Sequence, residues 1–293
     1  MKLRKIIYSV SAVALSAVML SACSNSSSKS SDSSSAKSSK VEKSSSSTKK
    51  TTSKKVAGAD LKDGKYRLLE NDVEDGYRVE MSMIVKGGKV IKTTYKELDK
   101  NGKTLITKET KQLNKDWAAN ANDPRWIDSV KKDVDGAHRL QNYAVQLFSA
   151  AQKGKTSTIH IKNTDKYHDG TYKLTEKNPN KNGYRQTYVL VIKNGKVSSL
   201  TYDQIDKDGK SIKTSTNYTK NDGVNSATPK KYMTKLMQEF KDEDYDIDDV
   251  KVVPGAVQAS NEFIAYVGQL LNAAQNNNAR FIHVDNIVYS EKD

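Results

Sequence analysis

The sequence predicts an α+β protein made of two tandem repeats, each a small antiparallel β-meander packed with helices. Three observations predict it. The first is internal repetition at nearly constant offset. "DGKY" at Asp63 returns as "DGTY" at Asp169, 106 residues on. "GYR" at Gly76, "KGGKV" at Lys86, Tyr95 and "DKNGK" at Asp99 return 107 residues on, at Gly183, Lys193, Tyr202 and Asp206. Near the end of each copy, "AAQKGKTSTIHIKN" at Ala150 returns as "AAQNNNARFIHVDN" at Ala273. The second observation is a period of two in the opening part of each copy, and the third is a 3–4 spacing of apolar residues in the remainder.

Taken in order, the repeats span 58–163 and 164–293, each of a size that can bury its own modest core. Tyr77, Val79, Met81, Met83 and Val85 alternate along one strand, and Tyr188, Leu190 and Ile192 along its counterpart. "GGK" and "NGK" supply hairpin turns after them. Strands with Val90 and Thr94, or Val197 and Leu200, come next. Turns at Asn101-Gly102 and Asp208-Gly209 are each expected to lead into a further strand. The helices are marked by apolar stripes: Leu140, Tyr143, Ala144, Leu147, Phe148 and Ala151 in the first copy. In the second they are Tyr232, Met233, Leu236, Met237 and Phe240, then Phe263, Ile264, Val267, Leu270, Leu271 and Ala274. Such stripes are core faces. His160 and His283, in "TIHIK" and "FIHVD", read as strand residues. Tyr66, Tyr95, Tyr172 and Tyr202 are expected in the core or at sheet edges, and Trp117 and Trp126 in a core or interface.

Ahead of the repeats stand a leader and a tether. Lys2, Arg4 and Lys5 precede a short apolar run that ends in small residues, which is a processed signal pattern and not a membrane span. The tetrad Leu20-Ser21-Ala22-Cys23 resembles the lipobox of bacterial lipoproteins, and Cys23 is the only cysteine in the chain. The resemblance implies that residues 1–22 are a lipoprotein signal peptide. It also implies diacylglycerol on the Cys23 thiol and a location at the extracellular face of the cell membrane. No cysteine remains for a disulfide, so burial alone must hold the fold. Residues 23–57 are mostly Ser, Lys and Thr and are expected to be a disordered tether. The formal net charge is +14, of which the leader holds three positive charges. Much of the excess lies in the tether of an exported chain, so an anionic cell surface or anionic cofactor explains it better than nucleic acid.

"DGTY…GYRQTYVLVIKNGKVSSLTYDQIDKDG…PGAVQASNEFIAYVGQLL" resembles the FMN-binding domain of membrane-associated electron-transfer proteins. Two such domains behind a lipobox and a Ser/Lys tether look like the flavin-bearing surface lipoproteins of Gram-positive extracellular electron transfer, a type also described as encoding a peptide pheromone in its signal sequence. In that family a helix entrance reading Ser-Gly-Ala-Thr accepts FMN, through its phosphate, on the Thr hydroxyl. A helix N-terminus suits a phosphate, because its N–H groups are free and its dipole is positive there. This chain departs from the pattern in both copies. The first reads Asp135-Gly136-Ala137-His138 and the second Pro254-Gly255-Ala256-Val257. Neither His138 nor Val257 offers the alcohol that the ester requires, and Ser260 lies one helical turn too far on. Covalent FMN is therefore not expected. The positions Gly136, Ala137, His138, Gly255, Ala256 and Val257 are degenerate flavin-attachment positions, with non-covalent FMN as the cofactor still open. Lys132, His138 and Arg139 are candidate phosphate contacts.

Other constellations give no catalytic or metal site. "DKDG" at Asp206 lacks the acids of an EF-hand loop. "DEDYDIDD" at Asp242–Asp249 is a solvated acidic run or a complement to a basic surface of the other repeat or a partner. The four histidines show no metal-ligand spacing, and no nucleophile motif or phosphate loop is present. The expectation is a lipid-anchored module, not a self-contained enzyme. It would assist surface electron transfer by holding a flavin reversibly or by docking a membrane redox protein. The alternative is a non-redox surface interaction module that lost its cofactor.

Overall fold

The predicted strands β3 (Tyr77–Lys86) and β4 (Lys89–Asp99) form a hairpin, and an unpredicted strand before them, β2 (Gly64–Glu70), pairs antiparallel with β3 to complete a meander. The computed structural model describes residues 54–164, 166–215 and 228–290, which lie in one compact unit. The leader, Cys23 and most of the tether fall outside the described residues. The fold is mixed α+β, with three sheets and five α-helices among the described residues.

The first meander is extended on one edge by β5 (Thr104–Leu105) and on the other by β6 (Ile159–Ile161), which runs parallel to β2. The strand order is β5-β4-β3-β2-β6. The second sheet has β7 (Gly170–Glu176), β8 (Arg185–Lys193) and β9 (Lys196–Ile205), with β10 (Phe281–Val284) parallel to β7. Its order is β10-β7-β8-β9. Each β-hairpin slips register at a matching place, between Ile84 and Val85 and between Val191 and Ile192.

The recurrent Asp-Gly motif has a local cause. Asp63 accepts hydrogen bonds from Gly87 N and Gly88 N, both at 3.0 Å. Asp169 does the same for Asn194 N and Gly195 N, at 2.9 and 2.7 Å. A carboxylate at the start of one strand thus pins the turn between the next two. These N–H donors hold both carboxyls below the usual aspartate range. The Tyr after each motif sends its hydroxyl back to a backbone oxygen, Tyr66 to Lys62 at 2.7 Å and Tyr172 to His168 at 2.9 Å.

Helix α1 (Lys108–Asn120) opens on a reciprocal Thr107–Thr110 capping box, which satisfies N–H groups the helix cannot pair itself. A short α2 (Asp128–Lys131) leads to α3 (Ala137–Lys153). In the second half α4 (Pro229–Asp242) starts with proline, whose missing N–H costs nothing in a first turn, and α5 (Val257–Asn276) follows. Leu140, Ala144 and Leu147 of α3, and Phe263, Val267 and Leu270 of α5, are fully buried against the sheets. Tyr66, Tyr95, Tyr172, Tyr202 and Trp117 are buried too.

Three expectations are corrected. Lys55–Ala57, assigned to the tether, form strand β1, which pairs antiparallel with β11 (Val288–Tyr289). The strand expected after Asp208-Gly209 is reduced to one bridge, Ile205 to Ser211, because the chain turns at once into a 3-10 turn at Ile212–Thr214. Trp126 is 46% exposed and fills no core.

Candidate functional site

Both helix entrances are built on a glycine that no other residue replaces without strain. Gly136 has φ 78° and Gly255 φ 80°, a region that residues with a Cβ seldom adopt. At Gly136 a Cβ would also lie 3.0 Å from the Tyr95 hydroxyl and 3.2 Å from Leu113. The following alanines, Ala137 and Ala256, are buried. Ala137 N donates to Val134 O at 2.9 Å and Ala256 N to Val253 O at 3.0 Å, which sets the bend.

The first entrance turns its next two residues inward. His138 is 6% exposed, and its Nε2 lies 2.7 Å from the carbonyl of Val250, in the second half. A carbonyl only accepts, so Nε2 carries the proton. Arg139 is buried beside Glu70, at 3.7 Å, and Asp248, at 3.8 Å, with its guanidinium over the Tyr77 ring. Lys132 and Asp135 are exposed. The three candidate phosphate contacts are therefore not brought together: two are committed to internal partners and Lys132 points to solvent.

The second entrance is more open. Pro254 and Gly255 are exposed and Val257 is half-buried. Ser260 faces inward, donating to Ala256 O at 2.8 Å and accepting from Val253 N at 3.0 Å, so its hydroxyl latches the bend.

Between each of these helices and its sheet lies a buried carboxylate that sequence reading passed over. Glu70 is fully buried, accepting from Val79 N at 2.6 Å and from the Tyr143 hydroxyl at 2.5 Å. Glu176 accepts from Gln186 N at 2.9 Å and from the Tyr266 hydroxyl at 3.0 Å. Burial pushes Glu176 up to about 8, helped by the negative charge of Glu262. Burial raises Glu262 as well, against the pull of Arg125. Glu70 is likewise raised by burial, opposed by Arg139. The missed signal was parity. Tyr66, Leu68 and Glu70 share one face of β2, and Tyr172, Leu174 and Glu176 share one face of β7. An acid on the core-facing parity of a strand, recurring 106 residues on, requires a buried donor.

Around Glu262 the second network continues. Gln186 Nε2 donates to it at 2.5 Å and Gln258 Nε2 at 2.8 Å. Arg125, from the first half, stands 3.9 Å away, bound to Asp123 and to Ile287 O. Asn261 Nδ2 donates to Arg125 O at 3.0 Å. Between the halves a cavity lined by Asp123, Arg125, Gln141, Gln152, Glu262 and Tyr266 has about 40 Å³ for the centres of water molecules. That is room for a few waters and for no flavin ring. Gln141 Oε1, buried at this cavity, lacks a protein partner. A second, open cleft of about 340 Å³ is lined by Asn71, Asp72, Lys162, Lys166, His168 and Gln275.

Among the described residues no group of three His, Cys, Asp or Glu side chains is placed to hold a metal ion. Of the acidic run, Asp246 caps its own 3-10 turn and Asp248 meets Arg139. No helix among the described residues is long and apolar enough to cross a membrane.

No protein-family model and no curated protein matches the chain. Among solved structures, the CPE2226 protein from Clostridium perfringens is similar at 21% identity and a TM-score of 0.37, over 41% of this chain and 98% of that one. The Aquifex aeolicus PPX-GPPA enzyme is similar at 13% identity and a TM-score of 0.12, over 49% of this chain and 54% of that one.

Proposed function

We propose that this chain is a lipid-anchored protein of the extracellular face of a bacterial membrane, built of two copies of an FMN-binding-type domain. In this reading it assists surface electron transfer by docking redox partners and carries no covalent flavin. The motif resemblance, the recurrent Asp-Gly and Gly-Lys turns and the lipobox at Cys23 support the two-domain, anchored part. One observation carries the rest. The residue in the flavin-accepting position of the first half, His138, is buried and bonded to Val250 of the second half. That entrance serves as a joint between domains and has neither an alcohol nor an open mouth for a phosphate ester.

A reversible flavin has one observation in its favour: the exposed Pro254-Gly255 turn opens α5 with no side-chain cap. Its first-turn N–H groups suit a phosphate without a covalent bond. The test expresses residues 50–293 together with a flavin transferase and reads intact mass. An unchanged mass is expected, and one or two added FMN units would overturn the docking assignment. Saturable quenching of FMN fluorescence would place a reversible flavin on the protein. Quenching absent at millimolar FMN would leave the non-redox interaction module.

A further inference from the structure

The joint between the halves uses matched positions with exchanged charges. Arg125 and Asp248 lie 123 residues apart, as do Arg139 and Glu262, and this is also the offset of the recurrent "AAQ" segments. Arg125 sits in the 3-10 turn Pro124–Trp126, and Asp248 in the 3-10 turn Ile247–Asp249. Arg139 is the third residue of α3 and Glu262 the sixth of α5, because α5 opens one turn earlier and the entrance glycines, Gly136 and Gly255, stand only 119 residues apart. Two further pairs at this offset keep the same role. Tyr143 binds Glu70 as Tyr266 binds Glu176. His138 reaches Val250 O as Asn261 reaches Arg125 O, each in the opposite half. Only the charged pair changes sign. The first half carries arginine on both its turn and its helix, and the second half carries an acid on both.

We propose that this exchange makes the two halves select each other and refuse like–like pairing. The proposal rests on the reading of the halves as copies of one domain. In the observed joint, Arg139 meets Asp248 at 3.8 Å and Arg125 meets Glu262 at 3.9 Å. Two first halves paired in the same way would set Arg125 against Arg139. Two second halves would set Asp248 against Glu262 with no cation between them. Uncompensated buried charge is heavily penalised, so the wrong pairings are blocked more strongly than the right one is favoured. Asp123, held by Arg125, and Glu70, beside Arg139, partly neutralise the arginines but do not remove the mismatch. The surface therefore fits one partner, the opposite half. Neighbouring copies crowded on a membrane would not cross-pair through like halves.

The test exchanges charges at one joint of residues 50–293. Arg139→Glu and Asp248→Arg alone are each expected to lower the thermal midpoint by about 10 °C. Together they rebuild at the first joint the arrangement found at the second, an acid on the helix facing an arginine on the opposite turn. The double variant is expected to recover at least half of the summed loss. Should Arg139→Glu fail to fold, a cycle of Arg139→Gln and Asp248→Asn reads the same coupling at lower cost. A double variant as unstable as the summed singles overturns the proposal. This readout is independent of flavin, so the mass experiment fails or succeeds separately.

Discussion

Glu176 is an acid held where its charge is unwelcome. It is 4% exposed and raised to about 8 by burial and by Glu262. A carboxyl raised on folding stabilises the protein fully below the usual carboxylate range, and that stabilisation is lost as pH rises through the folded value. Between pH 5 and 8 the folded state thus holds a proton that the unfolded chain releases. Thermal midpoints should fall across this window, by up to about 1.4 kcal/mol of stability per pH unit for this group. Glu176→Gln should flatten the slope, even though its NH2 cannot accept, so that one of the two bonds, from Gln186 N or from the Tyr266 hydroxyl, is lost and stability at pH 5 falls by about 1 kcal/mol. A midpoint that climbs with pH in the parent would contradict the assignment. Glu70 and Glu176 end strands that the sequence reading did not assign, so neither acid was picked out. Nor was the pairing legible, because Tyr143 lies 73 positions from Glu70 and only the folded chain brings them together.

At the scale of elements, the crossing of α3 and α5 decides how closely the halves approach. Gly268 has no unusual backbone, yet a Cβ there would meet Asn142 Nδ2 at 2.7 Å and its Cγ at 2.8 Å. Alanine is the better helix former by about 1 kcal/mol, so exposed Gly→Ala changes usually stabilise. Gly268→Ala is expected to destabilise instead, by roughly 1–3 kcal/mol through overpacking. Asn142→Ala in the same chain should restore much of that in denaturant titrations. Gly136→Ala should cost a similar amount, about 1–3 kcal/mol, because it combines a left-handed backbone with contact to Tyr95. Helices α3, α4 and α5 and the β3–β4 and β8–β9 hairpins were legible because their signals, period 3.6 and period two, are local; α1, whose buried positions are few, and the opening strands β2 and β7 were not read. The parallel edge strands β6 and β10 were legible as strands only. Their neighbours, β2 and β7, stand about a hundred residues upstream, and nothing local encodes that pairing.

For the whole molecule, the described residues form one unit that closes on itself. β1 pairs with β11, Ser290 N donates to Lys54 O at 2.8 Å, and Arg125 lies over the Tyr289 ring. Truncation after Asn286 should free β1 and speed tryptic cleavage at Lys54 and Lys55, measured as the rate at which the segment ahead of β1 is clipped. An unchanged rate would mean that β11 does not hold the segment. The sequence showed recurrent segments and a basic balance, but not that the two halves embrace, because Arg125 and Glu262 are ordinary surface residue types until the fold buries them. The meeting of β1 and β11 reaches further. Since the beginning and the finish of the folded body touch, they can be sewn together by a short glycine linker and the ring reopened at the Asn101-Gly102 turn. Such a circular permutant is expected to keep its fold while its two free ends move from the β1–β11 pair to the Asn101-Gly102 turn, which circular dichroism and a thermal midpoint close to the parent's would check.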